Sequence, residues 1–296
     1  MNSQPLGSPT TRVRQACLEI GIGDGYDACE FEPGIWRVNT SEKDLVVKLF
    51  FGPAAEERIR TEVGTCQELS RMGAPVPANA VAVMTERALA RDWIPGVSLR
   101  QWLFSVDPPT AAHGEIILDA WHDLILALNQ FYGKIPMDRR GRAKVLRTQE
   151  IRFVAQAVAH SFPRITSEDI DQLHKTIVSG ELSMLPLDAS AANLILGESI
   201  ATFVDLELLG IDFTDWTFAK FLTTTQTHGN RTQTSSLLQD LPHLATANLR
   251  LEAATALLLL AIAADLWKTS TISLVEIAKV FPTYSALTRR ISTSLV

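Results

Sequence analysis

The stretch Leu185-Pro-Leu-Asp188-Ala-Ser-Ala-Ala-Asn193-Leu-Ile-Leu196, followed by Phe203-Val-Asp205-Leu-Glu207, decides the fold of this chain. An aspartate, an asparagine five positions later, an apolar strand and a second aspartate at the next turn form the layout of a phosphoryl-transfer catalytic loop. In that layout Asp188 accepts a hydroxyl proton, and Asn193 and Asp205 hold magnesium on a nucleotide. The spacing is also compatible with turn formers between a helix and a strand.

A lysine within a hydrophobic strand lies far upstream of this loop. Residues 35–40 alternate as a strand does, residues 44–51 are apolar and β-rich, and a polar turn separates them, so the sequence predicts a hairpin. Lys48 falls inside the second strand. Because a buried lysine is costly unless it is paired, it is either a phosphate-orienting lysine or an edge-strand lysine that reaches water.

A glutamate in the next predicted helix can supply the partner of that lysine. Residues 53–71 carry apolar side chains near one face, and the sequence Gly73-Ala-Pro75-Val-Pro77 ends the helix. Glu62 lies within this helix. It is interpreted as the carboxylate that pairs with Lys48 and positions it against nucleotide phosphates. The alternative is one more solvated charge among several neighbouring acids and bases.

In this order of motifs the chain resembles the aminoglycoside phosphotransferase and choline kinase-like family, a branch of the protein-kinase-like fold. The resemblance covers roughly residues 12–225. Its further matching pieces are Trp36-Arg-Val38, Pro75-Val-Pro77 and Trp93-Ile-Pro-Gly-Val-Ser-Leu99. The resemblance implies a bilobal α+β fold. A nucleotide-binding lobe with a small antiparallel sheet and one helix would span residues 1–94, and a mainly helical catalytic and substrate-binding lobe would span residues 95–296.

The resemblance also implies roles for single residues. Lys48 would bind the nucleotide phosphates and Glu62 would pair with it. Asp188 would be the catalytic base, and Asn193 and Asp205 would be the Mg2+ ligands. Other expected contributors are Gly34 in the nucleotide-covering loop, Asp92, Trp93 and Ile94 in the connector where a base binds backbone groups, and Glu207, Asp212 and His228 as substrate or metal residues. Asp215 resembles the buried aspartate that braces the catalytic loop.

Two departures from the family pattern stand beside these matches. Pro186 occupies the place of a histidine two residues before the catalytic aspartate. The nucleotide-covering loop, Cys29-Glu-Phe-Glu-Pro-Gly34, offers one glycine and two acids that would repel a triphosphate. These departures favour a catalytically silent kinase-like binding protein, whereas the complete set of Lys48, Glu62, Asp188, Asn193 and Asp205 argues against it.

Composition narrows the class of protein further. A formal net charge of -6 and a pI of about 5.6 argue against nonspecific nucleic-acid binding, which needs a basic surface. The three cysteines show no metal-binding spacing and fit a reducing compartment. The start of the chain shows no secretory signal, and the most apolar stretch, residues 253–264, is too short to span a membrane. We therefore expect a cytoplasmic monomer or homodimer without membrane or nucleic-acid partners.

The second half of the chain is predicted to be mainly helical. Helices are expected over residues 115–131, 151–161, 167–178, 215–222, 249–267 and 274–280. The basic run 134–148 is either a substrate-facing loop or anion patch, or a solvated surface. The polar run 223–232 either contacts a hydroxyl-rich ligand or forms a loop between helices.

These observations lead to one main hypothesis and two alternatives. The main hypothesis is transfer of the γ-phosphate of ATP or GTP, with Mg2+, to a hydroxyl of a small molecule, namely an antibiotic or related natural product. The first alternative is a metabolic kinase for a sugar, a choline-like compound or an amino alcohol. The second is the silent kinase-like binding protein.

Overall fold

The computed structural model describes residues 7–23, 25–104, 111–133, 135–162, 165–228 and 249–266. The chain forms two compact units. The first comprises Met1–Gly96 with Ile195–Leu208, and the second comprises Val97–Leu194 with Leu209–Val296. The linear division after residue 94 stays a prediction. The sequence carried no signal that a segment 100 residues further along the chain packs with the first unit.

The secondary structure follows the α+β pattern. The strands in the described residues are β1 Asp27–Glu32, β2 Ile35–Asn39, β3 Asp44–Leu49, β4 Val81–Val83, β5 Ala88–Asp92, β6 Val97–Ser98, β7 Leu182–Pro186, β8 Leu194–Leu196, β9 Ala201–Phe203 and β10 Leu209–Phe213. The helices are α1 Pro9–Glu19, α2 Ala55–Arg71, α3 Leu99–Phe104, α4 Ala111–Tyr132, α5 Met137–Ser161, α6 Ser167–Val178, α7 Thr214–His228 and α8 Leu249–Leu266.

The first unit is built on a five-stranded antiparallel sheet. Its strand order is β1-β2-β3-β5-β4, so β3, which carries Lys48, lies in the interior of the sheet. The predicted hairpin of residues 35–40 and 44–51 is β2 and β3. Because β3 has a partner on each side, the interpretation of Lys48 as an edge-strand lysine does not apply.

The two faces of this sheet have different chemistry. Val47, which alternates with Lys48 along β3, is buried with Trp36 and Val38 of β2 against Val13 and Ala16 of α1. That apolar face therefore forms the core of the first unit. Directly opposed residues in antiparallel strands point to the same side of the sheet, and so do residues two apart in one strand.

The register places the charged residues on the opposite face. Lys48 is opposite Leu89 of β5, and Val46 is opposite both Arg37 of β2 and Arg91 of β5. Lys48, Arg37 and Arg91 consequently share the face that α1 does not cover.

The helix α2 presents one continuous buried stripe. Its buried residues recur three or four positions apart: Ala55, Ile59, Glu62, Val63, Thr65, Cys66 and Leu69. Glu62 belongs to this stripe and is 1% exposed, so the alternative of a solvated charge is wrong. After the helix, Gly73 adopts φ +78°, a conformation that glycine tolerates best, and Pro75 follows as the sequence predicted.

The returning segment Ile195–Leu208 completes the first unit. The amide of Phe203, which is 1% exposed, donates to the carbonyl of Pro75 over 2.8 Å. Gly96 has φ +139°, and a Cβ there would lie 2.1 Å from the Leu196 carbonyl oxygen. A glycine is therefore required where the end of the first segment touches the start of the second.

The described residues of the second unit are mainly helical and include one antiparallel strand pair. β7 and β10 are antiparallel, with Leu182 opposite Phe213 and Pro186 opposite Leu209. α8 packs against α5, α6 and α7. α6 spans residues 167–178, as predicted, because Thr166 and Asp169 form a reciprocal capping box at its start.

The basic run is not a loop, but its exposed side chains agree with the predicted alternative of a solvated surface. α5 continues from Met137 to Ser161, so most of the run 134–148 is the first half of a long helix whose side chains are mainly exposed. α7 extends to His228, so the first part of the polar run 223–232 is helical; residues 229–232 and the predicted helix 274–280 lie outside the described residues. Among the described helices, none has the length and apolar character needed to cross a membrane.

Candidate active site

Lys48 lies at the centre of a charged cluster in the first unit. Its Nζ atom is 3.0 Å from Oε2 of Glu62, 2.7 Å from Oδ1 of Asp205 and 3.3 Å from Oε2 of Glu207. The lysine side chain is 11% exposed and that of Glu62 is 1% exposed. The sheet supplies the lysine, α2 supplies Glu62, and the returning segment supplies the other two carboxylates.

Asp205 reaches this cluster from an unusual backbone conformation. Its φ is +66°, in the left-handed region, which costs of the order of 1 kcal/mol for a residue other than glycine. Aspartate is among the residues that tolerate this region best. The conformation turns the chain between β9 and β10 at the point where the carboxylate meets Lys48. The motif spacing predicted the residue, but nothing in the sequence predicted its backbone angle.

Sequence reasoning missed two residues of the cluster, Arg58 and Phe50. Arg58 of α2 donates to Oε1 of Glu207, and its guanidinium lies 5.2 Å from the centre of the Phe50 ring. The Lys48 ammonium lies 4.8 Å from the same ring. A signal for Arg58 existed, since it precedes Glu62 by four residues and therefore shares its side of the helix.

The three carboxylates have the chemistry of a divalent-cation site. Oxygens of Glu62, Asp205 and Glu207 lie within 4.8 Å of one another. Magnesium prefers such oxygen ligands. With Lys48 and Arg58 as the cations bonded to them, the carboxylates are in excess by one negative charge. Asp205 is the most accessible of the three, at 30% side-chain exposure, so it is the carboxylate best placed to bind an incoming cation.

Burial and charge act in opposite directions on the central pair. Burial lowers the pKa of Lys48, but Glu62, Asp205 and Glu207 outweigh burial and raise that pKa above its ordinary value. Burial raises the pKa of Glu62, and Lys48 opposes this rise. The lysine therefore keeps its positive charge at neutral pH and remains able to attract phosphate oxygens.

A third cation lies near the pair. Arg91 is 9% exposed, and burial lowers its pKa against the attraction of Glu62 and Asp205. Its Nε atom has no hydrogen-bond partner among the described residues. Arg91 directly precedes the expected connector residue Asp92, and the sequence analysis assigned it no role.

The expected nucleotide-covering loop is the turn between β1 and β2. Gly34 has φ +76°, and its amide donates to Oε1 of Glu30 over 2.8 Å. Its carbonyl accepts from the amide of Leu49. Gly34 is thus required by the turn, and its own amide is already bonded to an acid of the loop.

The expected connector is held by side-chain and backbone contacts. The carboxylate of Asp92 accepts from Asn79 Nδ2 over 2.6 Å and from Lys43 Nζ over 3.1 Å. The Trp93 amide donates to the Asp44 carbonyl, and its ring lies 4.4 Å from the Arg37 guanidinium. Ile94 is half-buried.

In the second unit, Asp188 and Asn193 form a closed loop after β7. Nδ2 of Asn193 donates to the Asp188 carbonyl over 2.9 Å, and the Asn193 amide donates to the Ser190 carbonyl. Asp188 is exposed, and its carboxylate accepts no hydrogen bond from the described residues. The loop thus leaves the Asp188 carboxylate and the Asn193 Oδ1 atom available to external partners.

The remaining candidates of the second unit belong to ion pairs. Asp212 is fully buried and lies 3.4 Å from Lys220 Nζ and 3.8 Å from Arg147 Nε. Asp215 accepts from Arg250 Nε over 2.9 Å, which joins α7 to α8. His228 ends α7, and its side chain lies outside the described residues.

Comparison with known proteins identifies the family. Residues 30–256 of the 296 match the sequence pattern of the phosphotransferase enzyme family. The chain belongs to this family. No curated protein matches its sequence. The resemblance that the motifs indicated is therefore confirmed.

Solved structures confirm the fold. The streptomycin–ATP–APH(2'')-IIa ternary complex is 11% identical, with a TM-score of 0.54, and the match covers 99% of this chain and 97% of that one. Choline kinase LicA from Streptococcus pneumoniae is 9% identical, with a TM-score of 0.52 and coverage of 98% and 99%. Aminoglycoside-3'-phosphotransferase of type VIII is 17% identical, with a TM-score of 0.50 and coverage of 86% and 99%. At these identities the likeness shows the shared protein-kinase-like fold.

Proposed function

We propose that this phosphotransferase family member moves the γ-phosphate of ATP or GTP to a hydroxyl of a small molecule. The observation that carries the proposal is the bonding of Lys48 to both Glu62 and Asp205, since these residues come from three separate parts of the chain. A buried lysine held by a helix carboxylate beside a metal-type aspartate is the arrangement by which kinases bind nucleotide phosphates.

Each residue then has a definite task. Lys48 attracts the phosphate oxygens, and Glu62 holds its ammonium in place. Asn193 and Asp205, with Glu207 as a further carboxylate, would hold Mg2+, which neutralises charge on the transferred group. Asp188 orients the acceptor hydroxyl and takes its proton. As the new oxygen–phosphorus bond forms, the bond to the β-phosphate oxygen breaks and the nucleoside diphosphate leaves.

The proposed acceptor is an antibiotic or related natural product. The net charge of -6 suits a cationic acceptor such as an aminoglycoside. The same charge suits choline-like and amino-alcohol acceptors, so a metabolic kinase is the alternative within this reaction class. Expression in a susceptible bacterium separates them, because resistance to an antibiotic panel supports the first acceptor class and unchanged resistance with phosphorylation of choline, ethanolamine or sugars supports the second.

One feature favours a silent binding protein as a second candidate. The Gly34 amide is bonded to Glu30, so the loop expected to cover the nucleotide has one of its amides occupied by a carboxylate. Absence of nucleotide binding in solution would make this candidate the better one.

The test combines nucleotide binding with acceptor phosphorylation. Calorimetry with ATP and GTP, with and without Mg2+, should show magnesium-dependent binding that Asp205→Ala abolishes. Asp188→Ala should keep nucleotide binding and lower phosphorylation of an accepted substrate by at least about 100-fold, since it removes only the hydroxyl partner. Asp171→Ala, an exposed acid on α6, is the matched control and should change neither. Unchanged turnover in Asp188→Ala contradicts the assigned mechanism.

A further inference from the structure

Arg91 combines burial with unused hydrogen-bonding capacity. It is 9% exposed, and its Nε atom has no partner among the described residues. A guanidinium carries five N–H donors and no acceptor, and burying such a group without partners is costly. Buried donors of this kind call for an explanation, because nearly all buried polar groups in proteins are bonded.

The neighbouring acids do not satisfy this arginine. Glu62 lies close enough to act on the Arg91 charge, but its carboxylate is bonded to Lys48 at 3.0 Å. No carboxylate oxygen of a described residue lies within 4.0 Å of Arg91 as an ion-pair partner. Arg91 is therefore close to negative charge, whereas its Nε donor is unused within the described residues.

The position of Arg91 in the sheet indicates which ligand atoms it would meet. Val46 is opposite Arg91 and two residues from Lys48, so both cations lie on the same face, on adjacent strands. Lys48 marks the phosphate end of the proposed nucleotide site. The connector residues Asp92–Ile94, which mark the base end, follow Arg91 directly in the chain. Arg91 thus lies on the Lys48 face, directly before the connector that is expected to meet the base.

The hydrogen-bonding groups of the purine bases then distinguish GTP from ATP. Guanine presents two acceptors on one edge, O6 and N7, and a guanidinium pairs with both. Adenine presents an N6 amino group in place of O6, so an N–H group of Arg91 would face another N–H group instead of an acceptor. The phosphate end already has Lys48 and Arg58, which leaves the base as the part of the nucleotide that needs Arg91.

We infer that Arg91 determines nucleotide specificity by donating to the O6 edge of a guanine base, so that GTP is the preferred phosphate donor. This inference rests on the proposed function, because it requires a nucleotide on the Lys48 face. It assigns the preference for GTP over ATP to the Arg91 side chain.

A series of three nucleotides tests this in the unaltered protein. Inosine triphosphate shares O6 and N7 with GTP but lacks the 2-amino group. Calorimetry with Mg2+ should show GTP and inosine triphosphate binding within about threefold of each other, and both about tenfold or more tighter than ATP. Tighter binding of ATP, or equal binding of all three nucleotides, overturns the role of Arg91 while leaving the phosphotransferase proposal in place. Binding of none of them overturns both.

Variants then attribute the preference to Arg91. Arg91→Met, of similar length but without donors, should remove the preference while ATP affinity changes by less than about threefold. Arg91→Lys keeps the charge and loses the paired donors, so it should keep only part of the preference. Arg60→Met, at an exposed arginine of α2, is the matched control and should keep the full preference. An equal loss of affinity for all three nucleotides in Arg91→Met would show phosphate binding and overturn base recognition; if that variant does not fold, retention of the full preference in Arg91→Lys would overturn it.

Discussion

The Lys48 ammonium controls the charge state of the residues around it. It contacts Glu62, Asp205 and Glu207, and of these three only Glu207 has a further ion-pair partner among the described residues, Arg58. Because Glu62 is 1% exposed, it depends on Lys48 to stay ionised inside the protein. Removing one partner of a buried ion pair usually costs more stability than the pair contributes, since the remaining charge is left without compensation.

Lys48→Met should therefore destabilise the protein in a pH-dependent manner. Burial already raises the pKa of Glu62, and loss of Lys48 raises it further. An acid whose pKa is higher in the folded chain stabilises the fold below its ordinary pKa and loses that contribution as the pH rises through the raised pKa. The decrease in Tm relative to the unaltered protein should be larger at pH 8 than at pH 5. At pH 8 the free energy of unfolding should fall by roughly 3–5 kcal/mol.

Two further variants make this prediction specific. Lys48→Met combined with Glu62→Leu should recover part of the stability at pH 8, because no buried charge remains at position 62. Lys43→Met removes a lysine that is 56% exposed and should lower Tm equally at both pH values, by little. A loss of Tm in Lys48→Met that does not depend on pH would contradict the argument.

Elements of the second unit are joined by a buried aspartate. Asp212 of β10 lies close to Lys220 of α7 and Arg147 of α5, and its Oδ1 accepts from the Phe213 amide over 2.8 Å. Arg147 also donates to the carbonyl of Ile211. Three elements thus meet at one carboxylate, although burial raises its pKa. This arrangement favours a role in holding the unit together.

Asp212→Ala should lower the free energy of unfolding by about 2–4 kcal/mol, because a buried amide and two cations lose their acceptor. Urea denaturation measures the change. The matched control is Asp138→Ala, which removes an exposed i,i+4 pair with Arg142 on α5 and should change stability by less than about 0.5 kcal/mol. Equal effects of the two substitutions would show that burial of Asp212 is energetically unimportant.

At the scale of the whole molecule, the first unit is discontinuous in sequence. Residues 1–96 lack the segment that carries β9, Asp205 and Glu207. Phe203 is buried and bonded to Pro75, and Lys48 has two of its three carboxylates on that segment. The first 96 residues therefore contain an incomplete core and an incompletely paired lysine.

A fragment of residues 1–96 should accordingly be less stable than a single chain in which residues 195–208 are attached to it. The attachment needs only a short glycine–serine linker, because Gly96 touches the Leu196 carbonyl. Circular dichroism on heating should show a cooperative transition for the linked chain and a lower or absent transition for residues 1–96. Replacing Phe203 by Asp in the linked chain is the control and should remove the gain.

The sequence predicted secondary structure well where a local pattern, such as alternation or a helix cap, determines it. The alternation of residues 35–40 and 44–51 specified β2 and β3, and the capping residues Thr166 and Asp169 specified the start of α6. For α5 the sequence predicted only the second part, residues 151–161. The basic residues 139–147 carry no apolar stripe from which a helix can be recognised, although they belong to the same helix as the buried residues that follow.

The site residues were predicted unevenly for the same reason. Lys48, Glu62 and Asp205 were identified by their order along the chain, which reflects the order of family motifs. Arg58 was missed although its place four residues before Glu62 gave a signal, and the Arg91 Nε atom, which has no hydrogen-bond partner among the described residues, could be recognised only from the groups around it in space.

By itself, the sequence determined the class of fold, the family motifs that the chain carries and its net charge of -6. These properties depend on local periodicity, on spacing and on total charge. Only the tertiary structure decided that Lys48 lies on an interior strand and meets Asp205, 157 residues away, and that the buried Arg91 Nε atom finds no hydrogen-bond partner in the described part of the chain. The physical reason is that desolvation and ion pairing are set by the groups that surround a side chain in space, most of which come from distant parts of the chain.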